Sequence, residues 1–197
     1  CETRGEGIFF QFRESIVQDW INRNSAFEKE VLATHQAWRL GKNLDPNKGY
    51  PGIRYVLLHT FVHALIRQLA IECGYTSASI TERIYSCNPS EGEPMAGILI
   101  YTAAPDSEGT LGGLCALGEP EKLGRHIRKA LEKTRFCSSD PLCSEHSLGD
   151  NDTLHGASCH ACSFLPETSC ERGNKYIDRA VLVPTVDLSR NKIAFFE

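Results

Sequence analysis

Ile16, Trp20, Phe27 and Val31 recur near helical spacing through "ESIVQDWINRNSAFEKEVLATHQAWRL", residues 14–40. The spacing predicts one or two amphipathic helices with a break near Asn24-Ser25. Ahead of them, "GEGIFFQF" (5–12) reads as a short strand after a glycine, and "GKNLDPNKGYPG" (41–52) is a turn-rich connector. The next stretch, "PGIRYVLLHTFVHALIRQLAIECG" (51–74), is apolar around most of a helical circumference: Ile53, Val56, Leu57, Leu58, Phe61, Val62, Leu65, Ile66 and Leu69. That pattern predicts a central, buried helix. Pro51 suits its first turn and Gly74 its end. One polar stripe interrupts it, because His59, His63 and Arg67 stand four apart and so share a face.

Beyond the helix the period changes. "SASITERIYS" (77–86) fits a strand or a short helix, and "MAGILIYTAA" (95–104) is a buried strand. It ends at Pro105 and opens into the glycine-rich "DSEGTLGGLCALGEP". "EPEKLGRHIRKALEKTRF" (119–136) is amphipathic, with Leu123, Ile127, Ala130 and Leu131 on its apolar face. "KYIDRAVLVPTV" (175–186) predicts a helix running into a last strand. The fold class is mixed α/β, of the α+β kind: a helix-rich core with a small sheet and a cysteine-ligated zinc segment. The expected organisation is a strand and helical region over 1–50, an α/β core over 51–136, a zinc-binding segment over 137–183 and a tail over 184–197.

The zinc expectation comes from the cysteines. There are nine in 197 residues, an odd number that is unevenly spread. Cys73, Cys87 and Cys115 stand among apolar residues and read as small core hydrophobes. Five others crowd together as C-x5-C-x15-C-x2-C-x7-C: Cys137, Cys143, Cys159, Cys162 and Cys170. Crowded thiols around a C-x2-C pair favour zinc over disulfides in a cytoplasmic protein. A tight C-x2-C turn lets both side chains reach one tetrahedral ion. Zinc takes four ligands and five thiols are offered, so the set stays open. His146 and His155 are spare candidates, and His160, inside the pair, is the weakest.

Composition narrows the functional classes. A net charge of −4 argues against a protein that coats nucleic acid by charge alone. No apolar run reaches the length of a membrane span, and no secretory signal opens the chain, so a cytoplasmic location is expected. The chain begins at Cys1 rather than Met and reads as a processed product or a fragment of something longer.

Three stretches carry candidate chemistry. In "HTFVH" the pair His59 and His63 has the i, i+4 spacing of a metal grip, but Thr60 stands where a zinc protease has its glutamate base. The simpler reading is a hydrogen-bonded polar stripe on a core helix. "DSEGTLGG" (106–113) follows a strand, where open α/β folds place binding loops, yet it lacks a P-loop lysine. Asp106 and Glu108 are possible acids there with no nucleophile to serve. The helix over 121–135 holds six Lys or Arg against two Glu. Lys122, Arg125, Lys129 and Lys133 form a basic stripe, read as lying opposite the apolar one. Such a stripe can track phosphates, or simply be a solvated face.

Longer phrases then carry a resemblance. "LLHTFVHALIRQLAIECGYTSASITERIY", "MAGILIYTAAPDSEGTLGGL", "RHIRKALEKTRFCSSDPLC" and "CHACSFLPETSCERGNKYIDRAVLV" resemble the MrfA-type zinc-binding domain. Within that type they look most like the C-terminal region of the DrmB family of DISARM anti-phage systems. The resemblance runs from residue 2 to about residue 183. It maps the family's C-x2-C, third cysteine and Asp-Lys/Arg ending onto Cys159, Cys162, Cys170 and Ile177-Asp178-Arg179, with Cys143 or Cys137 as fourth ligand. The set it favours is Cys143, Cys159, Cys162 and Cys170, closing one zinc per chain. It implies a non-motor accessory module that docks a helicase subunit of the DrmA type and helps contact DNA. The alternative is a metal-dependent hydrolase acting on nucleic acid through His59, His63 and Asp106 or Glu108. No ATPase or nuclease motif is visible, so no enzymatic activity is expected.

Overall fold

A computed structural model describes residues 5–74, 76–90, 92–102 and 113–196. The long apolar helix predicted over 51–74 is α3, Gly52–Cys73, and it is the axis of the fold. Ile53, Val56, Leu57, Leu58, Val62, Leu65, Ile66 and Leu69 are completely buried. Burying one such side chain stabilises by about 1.5–3 kcal/mol. Gly74 ends the helix in the left-handed conformation at φ 70°, where a Cβ would be strained. Two helices pack against it: α1, Glu14–Arg23, and α2, Ser25–Gly41, which part at Asn24 as the pattern predicts. Buried Arg54 ties α3 to α1, donating to both carboxylate oxygens of Glu14 at 2.6 Å.

The sheet has three antiparallel strands in the order β1–β3–β2. They are β1, Gly7–Gln11; β2, Ile80–Cys87; and β3, Met95–Thr102. The ambiguity over 77–86 resolves to a single 3-10 turn, Ser77–Ser79, and then β2. On β2 the core-facing positions are Ile80, Glu82 and Ile84, so the alternation carries a carboxylate into the interior. Short α4, Gly113–Leu117, leads to α5, Pro120–Thr134, which packs along α3. Among the expected core thiols, Cys87 is half-buried and Cys115 is exposed, which corrects the reading of Cys115 as a core residue. The Cys73 side chain, Cys1, Asp106 and Glu108 lie outside the described residues.

From 137 onward the chain is held by side chains rather than by regular ladders. One short helix, α6, Leu142–Glu145, is present. The helix-then-strand expected over 175–186 does not form. Asp178 instead accepts hydrogen bonds from Ala157 N and Ala180 N, at 3.2 and 3.0 Å, fixing a 3-10 turn at Arg179–Val181. A short polar side chain competing for backbone donors breaks regular structure, and Pro184 has no N–H to give a strand. The tail returns to the core, with Phe195 N and Phe196 N donating to Val181 O and Leu182 O and Trp20 Nε1 donating to Ile193 O.

Gly156 faces Asp178 across this turn. A Cβ there would lie 2.2 Å from Asp178 Oδ2 and 2.5 Å from its Cγ. Gly156→Ala is therefore expected to destabilise by about 1–3 kcal/mol, because Asp178 cannot withdraw without dropping two backbone donors. A urea midpoint equal to that of the parent would show that the carboxylate turns aside freely.

Candidate metal centre

Four of the five crowded thiols meet. Cys137 follows the end of α5, Cys143 lies in α6, and Cys159 and Cys162 sit on one tight turn. That turn folds because Cys159 O accepts from Cys162 N, Ser163 N and Phe164 N at 3.2, 2.9 and 3.1 Å. The four sulfurs lie within 4.8 Å of one another. Cys137 to Cys159 is 3.5 Å, Cys143 to Cys162 is 3.7 Å, and Cys159 to Cys162 is 3.8 Å. Zinc–sulfur bonds of about 2.3 Å place tetrahedral sulfurs about 3.8 Å apart, so the donor set fits zinc and these three spacings match its tetrahedron.

The surroundings suit thiolates. Ser139 N points at Cys137 Sγ at 3.4 Å, and Cys159 N and Ser163 Oγ point at Cys162 Sγ at 3.3 and 3.2 Å. Hydrogen bonding from the Cys143 thiol, then from Ser163 and the Cys159 amide, with the charge of Arg179 nearby, holds Cys162 well below the ordinary thiol range. Cys143 moves the opposite way, through its hydrogen bond to Cys162 and through burial. A zinc ion binds thiolates and would displace the protons of both thiols.

Two arginines fix the frame. Arg67, the last member of the α3 polar stripe, donates to Ala161 O at 2.7 Å and Phe164 O at 3.1 Å, clamping the C-x2-C turn. Arg179 is fully buried. It donates to Thr134 O and Arg135 O at the end of α5, at 3.3 and 3.1 Å, and is paired with Asp140. One side chain thus joins the basic helix to the loop between Cys137 and Cys143.

Cys170 stands apart, so the favoured set of Cys143, Cys159, Cys162 and Cys170 is not the one assembled in space. Its Sγ is 3.1 Å from His59 Nε2, and it groups with His59, His63 and Glu82. The reason is the path of the chain: seven residues after Cys162 carry Cys170 down α3 to the neighbourhood of β2. The spare histidines are also outside the quartet. His146 stacks on His155 at 4.7 Å, and His160 meets Phe164 edge to face.

The basic stripe sits beside the buried face of α5, not opposite it. At about 100° per residue, Lys122, Arg125, Lys129 and Lys133 flank the row of buried His126, Ala130 and Thr134. Three of them have partners in the same chain: Lys122 with Glu119 at 2.9 Å, Lys129 with Glu72 at 2.8 Å, and Lys133 with Gln68 Oε1 at 2.7 Å. Arg125 is exposed. Beside the quartet, α3 and α5 leave a groove of about 310 Å³ lined in part by Arg67, Lys133, Phe136 and Cys137.

A four-thiol centre that ties a helix end to a clamped turn defines a zinc-binding domain of structural type. Residues 61–163, more than half of the chain, match the MrfA Zn-binding domain, and the chain belongs to that family. All four quartet cysteines fall inside the matched stretch, whereas Cys170 falls outside it. The chain is also 42% identical, over 94% of its length, to the DISARM protein DrmB of Bacillus paralicheniformis, and it spans 33% of that protein. Among the described residues, no helix is long and apolar enough to cross a membrane.

Proposed function

We propose that the chain is a non-motor accessory module of a DISARM-type anti-phage system. Cys137, Cys143, Cys159 and Cys162 hold a structural zinc, and the module docks a helicase subunit of the DrmA type and adds a DNA-contacting surface. The observation that carries the defence role is the 42% identity to DrmB, spread over nearly the whole chain. The zinc contributes folding energy and a fixed frame, and it performs no reaction there. Through Arg179 that frame fixes the end of α5, which carries Lys122, Arg125, Lys129 and Lys133. These cations are the phosphate contacts in this reading. The apolar rim nearby, exposed Ile71, Phe136 and Leu142, is where the partner helicase rests. The hydrolase alternative draws no support from His59 and His63, which are fully buried behind Glu82 and Cys170, out of reach of a phosphodiester.

The test reads DNA affinity against salt with the helicase subunit present. Arg125→Ala combined with Lys129→Ala is expected to flatten the log–log slope on duplex DNA by about two units, close to 0.9 per lost phosphate contact. An unchanged slope would remove α5 from the DNA interface. Failure of the helicase subunit to co-purify with the intact protein would remove the docking role.

A further inference from the structure

The α3 stripe ends in a second cluster of ligand-type side chains, separate from the cysteine quartet. His59 and His63 from α3, Glu82 from β2 and Cys170 from the loop after the C-x2-C turn place one donor atom each within 4.8 Å of the others. His59 and His63 are completely buried, Glu82 is 2% exposed and Cys170 is 7% exposed. His59 Nε2 lies 3.0 Å from Glu82 Oε1 and 3.1 Å from Cys170 Sγ, and His63 Nε2 lies 3.4 Å from Glu82 Oε2. Around a zinc ion with bonds of about 2.0–2.3 Å, tetrahedral N, O and S donors stand about 3.3–3.6 Å apart. These three distances are a few tenths of an ångström from that spacing.

The hydrogen bonds turn these atoms inward. His63 Nδ1 donates to Ser163 O at 3.0 Å, which fixes that tautomer and leaves Nε2 with a free lone pair. Buried His63 Nε2 and Glu82 Oε2 face each other at 3.4 Å, and among the described residues neither atom has a further hydrogen-bond partner. Two buried acceptors aimed at one point are costly unless a shared proton or a metal ion lies between them. Two of the remaining donors are held from outside. Glu82 Oε1 accepts from Glu171 N at 3.1 Å, and Cys170 Sγ accepts from Asn174 N at 3.2 Å. Outer hydrogen bonds of this kind on the His63 imidazole, the carboxylate and the thiolate are the usual surroundings of a metal ligand, while His59 Nδ1 has none among the described residues.

We propose that His59, His63, Glu82 and Cys170 bind a second zinc ion. Four protein donors close the site and leave no position for water, so its role is to pin β2 and the 163–174 loop to α3. It is independent of the proposed helicase and DNA contacts.

The intact protein, purified without chelator, provides the test by elemental analysis and zinc-edge X-ray absorption. Two zinc ions per chain are expected, with both sulfur and nitrogen or oxygen neighbours. Glu82→Gln and Cys170→Ser are each expected to retain one zinc, with sulfur neighbours only. If either variant fails to fold, the parent protein still decides. One zinc with sulfur neighbours alone overturns the second site. One zinc with a mixed shell supports it and overturns the quartet instead.

Discussion

Replacing Cys162 by Ser is expected to cost the protein one zinc and to lower its melting temperature by about 8–16 °C. Cys162 is the most strongly supported thiolate of the quartet, with three donors or near neighbours directed at its sulfur. Serine is a poor zinc ligand at neutral pH, and three remaining thiols cannot close a tetrahedral site. In small zinc peptides the metal supplies about 10–16 kcal/mol, all of it folding free energy. Here Arg67, Asp178 and Arg179 also hold the segment, so only part of that is lost. A loss of about 4 kcal/mol corresponds to the stated shift in a chain of this size. Differential scanning calorimetry alongside zinc analysis reads both quantities. Unchanged zinc and an unchanged melt would take Cys162 out of the ligand set. Cys170→Ser separates the geometric quartet from the set favoured by resemblance, because it should leave the all-sulfur zinc in place.

Arg179→Ala is expected to destabilise by about 3–5 kcal/mol. Removing one partner of a buried, hydrogen-bonded pair leaves the other uncompensated. Here the loss is threefold: Asp140 Oδ1 and the carbonyls of Thr134 and Arg135 lose the guanidinium, and Asp140 keeps only the Cys137 N–H on Oδ2. Those carbonyls belong to the last turn of α5, whose negative dipole end favours a cation. Arg179→Lys keeps the charge but not the fork, so it should fall between parent and alanine. Denaturant midpoints measure the stability, and a competition assay with a zinc chelator measures how much faster the quartet releases its metal. A cost below about 1 kcal/mol would show that water replaces the guanidinium in that turn.

The legible parts of this fold are those where periodicity and burial agree. α3 announced itself because its apolar girdle is long and its ends carry Pro51 and Gly74. The C-x2-C turn and the crowding of thiols pointed to zinc, which the family and the spatial quartet bear out. What was hidden is the pairing of distant chemistry. Nothing local says that Cys170 leaves its neighbours for His59, 111 positions away. One signal was available: in "SITERIY" the alternation places Glu82 between Ile80 and Ile84 on one face. A carboxylate in a core-facing position needs a buried partner, and the unexplained histidines of α3 were the candidates. The segment over 175–186 misled because its apolar residues suit regular structure, while Asp178 claims the backbone donors that such structure needs.

The stripe on α3 also sets an order of events during synthesis. His63 is satisfied by Ser163, 100 positions later, and Arg67 by carbonyls of the same turn. At about 5–20 residues per second, the ribosome delivers those partners some 5–20 s after the helix has emerged. Through that interval Glu82 of β2 can already answer His59 and His63, but Arg67 and His63 Nδ1 lack the segment that covers them. A helix waiting in that state exposes apolar surface of the kind that promotes aggregation, and its final burial is timed by the arrival of the cysteine-bearing segment rather than by its own propensity.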